Sequence, residues 1–124
     1  MVISIGGGFE NRNGTNLNPI KPGSGGPAKD IPNHVLGGME DTAEKFEAGS
    51  VQKMISSRLR YVDVDWPSAT KAAAKVMAPG GRVEMNVWCQ PAEQRAFKAA
   101  FEAAKFKNVK VVGNGPGTMI YADF

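Results

Sequence analysis

The sequence predicts an α/β domain with a mostly parallel sheet and a C-terminal antiparallel hairpin. Three observations carry this. An apolar, β-branched run from Val2 to Ile5 stops at three glycines. Two later stretches with helical spacing alternate with strand-like ones, the pattern of βα units. The chain then ends in two short strands around Asn114-Gly115-Pro116-Gly117, a turn signal. At 124 residues this is a single domain, 1–124, which on folding buries roughly two-thirds of its unfolded surface.

Val2–Ile5 reads as a buried strand. Asn13-Gly14 marks a turn, and Thr15 to Ile20 reads as a second short strand whose pairing Pro19 limits. The segment Lys21-Pro22-Gly23-Ser24-Gly25-Gly26-Pro27 is a loop by composition. Asn33 to Leu36 is a third strand, ended by Gly37-Gly38. Met39 to Ala48 predicts one short helix stopped at Gly49, and Val51 to Ser56 a weak fourth strand interrupted by Gln52 and Lys53.

The second half is more regular. Asp65-Trp66-Pro67 opens a helix, with proline where its missing N–H is harmless. Ala69, Ala72, Ala73, Val76 and Met77 form its apolar face, and Pro79-Gly80-Gly81 ends it. Arg82 to Trp88 alternates, with Val83, Met85 and Val87 against Arg82, Glu84 and Asn86. Pro91 opens a helix whose stripe is Ala92, Ala96, Phe97, Ala100, Phe101 and Ala104. Asn108–Val112 and Thr118–Ala122 are the closing strands.

The chain carries a net charge of +3 and a pI near 9.1. Lys98, Lys105, Lys107 and Lys110 crowd the last third, a solvated basic face or a contact for RNA or another polyanion. No apolar run approaches the roughly 20 residues of a membrane span, so no membrane partner is expected. With no charged-then-apolar leader and a single cysteine, Cys89, a cytoplasmic place of action is expected. One histidine and one cysteine without a spaced cluster predict no metal site.

Several residues carry two readings each. Gly6, Gly7 and Gly8 let the backbone approach a ligand, or simply turn. Glu40 and Asp41 open a helix, as favourable first-turn acids or as acceptors for a ligand amine. His34, the lone histidine, is a structural side chain or a general acid/base. Ser56, Ser57, Arg58, Arg60, Tyr61, Asp63 and Asp65 follow the fourth strand, where ligands of open α/β sheets bind. There Arg58 and Arg60 suit a phosphate, and Asp63 and Asp65 act as bases, pair with the arginines or cap the next helix. Trp66 and Trp88 read as packing residues.

The layout resembles class I S-adenosylmethionine-dependent methyltransferases. Ile3-Ser4-Ile5-Gly6-Gly7-Gly8 looks like their first motif, and Asn16-Leu17-Asn18-Pro19 like the end of their second strand. Gly38-Met39-Glu40-Asp41 looks like their adenine loop. Ser50 to Ser57 looks like their fourth strand, and Met77-Ala78-Pro79-Gly80-Gly81-Arg82-Val83 like the opening of their fifth. The resemblance implies a reduced Rossmann-like methyltransferase fold with S-adenosylmethionine as cofactor. Gly6, Gly7 and Gly8 would line its methionine part, Asn18 its ribose, and Glu40 and Asp41 its adenine.

The departures are specific. Nine residues, Gly6 to Gly14, separate the first two strands, where a helical crossover needs a dozen or more. The helices between the first strands are therefore expected to be missing. One sheet face near those strands is expected to lie partly bare or to be covered by loops. Asn18 stands where the family usually has an acid, and Gln52 where an acid is common early in strand four.

The short outline, notably Gly6–Pro19 and Ile31-Pro32-Asn33, is also similar to C-terminal toxin domains of bacterial polymorphic toxins of the Rhs and contact-dependent inhibition systems. That resemblance implies a domain delivered from a larger secreted protein and neutralised by an immunity protein. It would bind or cut RNA through His34, Arg58, Arg60 and the lysines. Under either resemblance His34, Arg58, Tyr61 and Asp63 are the candidate catalytic residues.

Overall fold

The computed structural model describes residues 1–6, 14–18 and 33–124, with Arg58 described by its backbone alone. Gly7, Gly8, Pro19 and the glycine-rich segment lie outside the described residues.

Seven strands form one sheet: β1 (Val2–Ile5), β2 (Thr15–Asn18), β3 (His34–Leu36), β4 (Val51–Arg60), β5 (Met77–Trp88), β6 (Lys107–Val112) and β7 (Met119–Asp123). Their order is β3-β2-β1-β4-β5-β7-β6. The first five are mutually parallel, and β7 runs antiparallel to both β5 and β6. The helices are α1 (Thr42–Lys45), α2 (Trp66–Val76) and α3 (Gln94–Ala103). The architecture is the predicted one: mostly parallel, with an antiparallel C-terminal hairpin.

Right-handed crossovers put links that step from β3 to β4 to β5 on one face. α1 packs on α2 and α2 on α3, so all three helices of the described residues share one layer. Ile3, Ile5, Leu17, Met54, Val83, Met85, Val87 and Ile120 point into it and are buried with Ala69, Ala73, Val76, Phe97 and Phe101. The side chains between them form the other face. Across β4, β5 and β7 a row runs Ile55, Glu84, Tyr121, and a second Lys53, Arg82, Asp123. Parallel strands covered on both sides read as continuous apolar runs; here Arg82–Trp88 alternates, and no helix of the described residues covers its polar side. Lys53 and Arg82 both pair with Glu84, at 3.2 and 3.0 Å, and Arg82 lies over the Tyr121 ring.

Among the described residues that face is open on the β4-β5-β7-β6 half, where no bare face was expected. At β1 and β2 it is closed: Ser4 and Asn16 are fully buried and Asn18 nearly so.

Three elements differ from their predicted extent. β4 runs ten residues, through Ser57 to Arg60. A register shift between Ser56 and Leu59 breaks its alternation, which hides the strand from a periodicity reading. Met39–Ala48 is a 3-10 turn (Met39–Asp41) followed by the four-residue α1. Pro79-Gly80-Gly81 does not end α2, which stops at Val76; it lies in an irregular stretch of β5. There Gly80 N–H donates to Phe124 O, Phe124 N–H donates to Gly81 O, and a Cβ on Gly81 would sit 2.8 Å from Ala78 O.

A continuous file of rings sits between the helices and the sheet. Tyr61 stacks on Trp66, and Trp66 meets Phe97 at 4.6 Å between centroids. Phe97, Phe101, Phe106 and Phe124 follow edge to face. Phe97 is fully buried and touches three of these rings directly. Phe97→Ala is expected to cost about 3–5 kcal/mol in urea unfolding. Glu84→Ala, on the half-wet face, is expected to cost less than about 1 kcal/mol in the same assay.

Candidate functional site

The strand order reverses between β1 and β4, and in open α/β sheets the ligand crevice lies beyond the carboxyl ends at such a point. Gly6 ends β1 there with φ +63°. Its N–H donates to Leu17 O at 2.7 Å, which ties the turn to β2. Among the described residues a Cβ would meet only Leu59 Cδ1, at 3.5 Å. The position favours glycine for its left-handed backbone.

Asn18 ends β2, buried. Its carbonyl accepts Gly37 N–H at 3.1 Å and His34 Nε2–H at 3.0 Å. The second bond identifies the Nε2-protonated tautomer when the ring is neutral, which leaves Nδ1 as a buried lone pair with no described partner. After β3, Asp41 Oδ2 accepts Gly38 N–H at 2.9 Å and Glu40 Oε2 accepts Asp65 N–H at 3.2 Å. Each carboxylate thus anchors a turn with one oxygen and keeps the other. Glu40 links the β3 end to the start of α2. Asp65 bonds the Ser68 hydroxyl at 3.1 Å and caps no backbone N–H.

The edge of β1, β2 and β3 therefore brings Gly6, Asn18, Glu40 and Asp41 to one side of the molecule. Among the described residues there, amide and carboxylate acceptors stand without a cation. Such a set suits hydroxyls and an amine better than phosphates.

The candidate catalytic residues do not form one cluster. His34 is three strands from β4, about 14 Å across the sheet from it. Asp63 forms a two-pronged pair with Arg60, at 2.9 and 3.2 Å. That pair occupies the guanidinium face expected for a phosphate. Tyr61 lies in the ring file, and its carbonyl accepts Trp66 Nε1–H at 2.8 Å. Burial, then the neighbouring Cys89 and Glu93, push its phenol up from the ordinary value, so it stays protonated.

A second feature lies at the carboxyl ends of β4 and β5. Arg60, Val62, Trp88, Gln90 and Glu93 line an open cleft of about 200 Å³. Trp88 is 47% exposed and Val62 70%. Trp88 is thus a surface residue, where a packing role was expected. The signal was in the alternation: it continues the polar set Arg82, Glu84, Asn86. Glu93 Oε1 accepts Gln90 N–H at 2.8 Å, and no described group bonds Oε2. Cys89, beneath the cleft, is fully buried.

No protein-family model matches the chain, and no curated protein does. Solved structures do. The chain is similar to a SAM-dependent methyltransferase from Archaeoglobus fulgidus at TM-score 0.71 and 11% identity, over 99% of this chain and 85% of that one. It is similar to a SAM-dependent methyltransferase from Thermotoga maritima, described as a possible histamine N-methyltransferase, at TM-score 0.69 and 14% identity, over 98% and 80%. A SAM-dependent methyltransferase from Aquifex aeolicus matches with the same four values. These identities bear on the fold: the chain has a reduced Rossmann-like methyltransferase fold.

Burial, and after it Glu93, push the Cys89 thiol up from 9.0 to about 11. The folded protein keeps this proton while the unfolded chain loses it. Stability is thus fully present below pH 9 and falls as pH rises toward 11. Urea midpoints across that range are expected to fall more steeply for the wild type than for Cys89→Ala.

Proposed function

We propose that this chain binds S-adenosylmethionine across the carboxyl ends of β1, β2 and β3 and transfers its methyl group to an acceptor held over β4 and β5. The observation that carries this reading is the acceptor set Gly6, Asn18, Glu40 and Asp41, with no cation there among the described residues, at the switch point of a sheet ordered β3-β2-β1-β4-β5-β7-β6. Gly6 lets the backbone approach the methionine part of the ligand without a side chain. The Asn18 amide oxygen accepts from the ribose hydroxyls, and the free oxygens of Glu40 and Asp41 accept from amine N–H groups. Gly7 and Gly8, which follow Gly6 in the sequence, lie outside the described residues.

The bound cofactor supplies a methyl group already activated by a sulfonium centre. The chain's own work is then orientation and proton management. Trp88 and Val62 offer an apolar wall to the acceptor. Glu93 Oε2 is the carboxylate oxygen placed to take an acceptor proton. Asp63, held by Arg60, shapes the rim. His34 fixes the Asn18 carbonyl at the β2–β3 edge and acts as a positioning residue. No observation favours the RNA-cutting toxin reading or its immunity partner over this one. No helix of the described residues is long and apolar enough to cross a membrane.

Calorimetry with S-adenosylhomocysteine tests the reading. Wild-type protein is expected to bind it, and Asn18→Asp to bind it about fivefold or more tightly, because a carboxylate makes charge-assisted bonds to the hydroxyls. Asn18→Ala is expected to weaken it. Absence of heat at millimolar ligand would falsify the proposal.

A further inference from the structure

The charge of this chain is segregated. Residues 94–112 hold five cations and one acid, a net of +4, while the other 105 residues hold ten cations and eleven acids and net −1. The fold gathers part of this segment into one groove of about 470 Å³ between α3 and the edge strand β6. Arg95, Lys98 and Lys110 line it, no acid does, and valines of β6 form its floor. None of the three cations has an ion pair within 4.0 Å among the described residues, whereas Lys53, Arg60 and Arg82 all do.

The groove adjoins the cleft over β4 and β5. Glu93 lines the cleft and the next residue, Gln94, lines the groove, where its Nε2–H donates to Gly113 O at 2.7 Å. β6 runs parallel to β5 because both oppose β7, so Val112 and Trp88 end their strands on the same side. Cations alone would suit any polyanion. A half-exposed indole in the adjoining cleft, on β5 two strands from β6, adds a stacking platform, which an acidic peptide does not need and a nucleobase does.

We propose that the α3–β6 groove is a phosphodiester site for single-stranded nucleic acid, with a base stacked on Trp88. Arg95, Lys98 and Lys110 neutralise consecutive backbone phosphates. As a methyl-acceptor site this rests on the methyltransferase reading; as a binding site it does not.

Fluorescence polarisation without any S-adenosyl compound tests it, with labelled single-stranded RNA and DNA 20-mers in separate arms. Binding by either arm, with a salt slope of about −2 (about −0.7 per phosphate on a single strand), is the expected result. Arg95→Ala/Lys98→Ala/Lys110→Ala is expected to weaken it at least tenfold and flatten the slope. Lys45→Ala/Lys71→Ala/Lys75→Ala, which removes the same charge elsewhere, is expected to leave it within twofold, with thermal melts confirming that both variants fold. Trp88→Ala is expected to weaken oligonucleotide binding about tenfold while inorganic polyphosphate binds it as it binds wild type. Equal losses in the two triple variants, equal competition by poly-glutamate, or no effect of Trp88→Ala overturns the proposal. If S-adenosylhomocysteine fails to bind while the oligonucleotide binds, only the cofactor reading falls.

Discussion

The file of six rings from Tyr61 to Phe124 is the contact on which the rest of this structure depends. The helices of the described residues form one layer, and the core beneath it must order every element placed on it. The rings join the end of β4, the start of α2, the length of α3, the start of β6 and the C-terminus. Centroid separations of 4.6 to 6.0 Å along the file lie in the range where such pairs add about 0.5–1.5 kcal/mol each beyond their burial. The file reaches the functional edge at Tyr61, whose carbonyl holds Trp66. Glu40 then ties the end of β3 to the first residues of α2. The crevice is thus positioned by packing that begins at the opposite end of the molecule.

The second consequence of a single layer is an alternating sheet. On the side away from the helices, β4, β5 and β7 carry Lys53, Arg82, Glu84 and Tyr121 in contact with one another, a surface adapted to water. Polar strands can stand at the centre of a parallel sheet only where no helix crosses them. The nine-residue link between β1 and β2 belongs to the same economy of structure. Its length in the sequence is below the dozen or more residues that a helical crossover needs. In the proposed reading a ligand at Gly6 is recognised by backbone approach and neutral or acidic acceptors. Phosphate recognition falls instead to the cationic groove at the other edge of the sheet.

Much of this was legible in the residues. The β-branched run before Gly6, the helical spacing after Pro67 and the Arg82–Trp88 alternation each follow from one dominant local preference, and each lies where the sequence places it. The helices expected to be missing between the first strands fall on residues 7–13 and 19–32, outside the described residues. What stayed hidden had competing local signals. β4 beyond Ser56 loses its alternation at a register shift. Pro79-Gly80-Gly81 has the composition of a helix stop but pairs with the C-terminus as irregular strand. Trp88 reads as core by residue type and as surface by period, and period wins. At the site, Gly6, Asn18, Glu40 and Asp41 share an edge because parallel strands align their carboxyl ends. His34 and Tyr61 cannot share a centre because three strand spacings lie between β3 and β4, a separation set by strand order alone.

The central claim is that the β1–β4 switch point receives the adenosyl ligand and that the groove at β6 does not. Amide chemical shifts of the ¹⁵N-labelled protein titrated with S-adenosylhomocysteine measure this directly. The account predicts perturbations at Gly6, Asn18, Gly37 to Asp41 and Leu59, with Arg95, Lys98 and Lys110 unmoved. Shifts confined to α3 and β6, or none at saturating ligand, would contradict it.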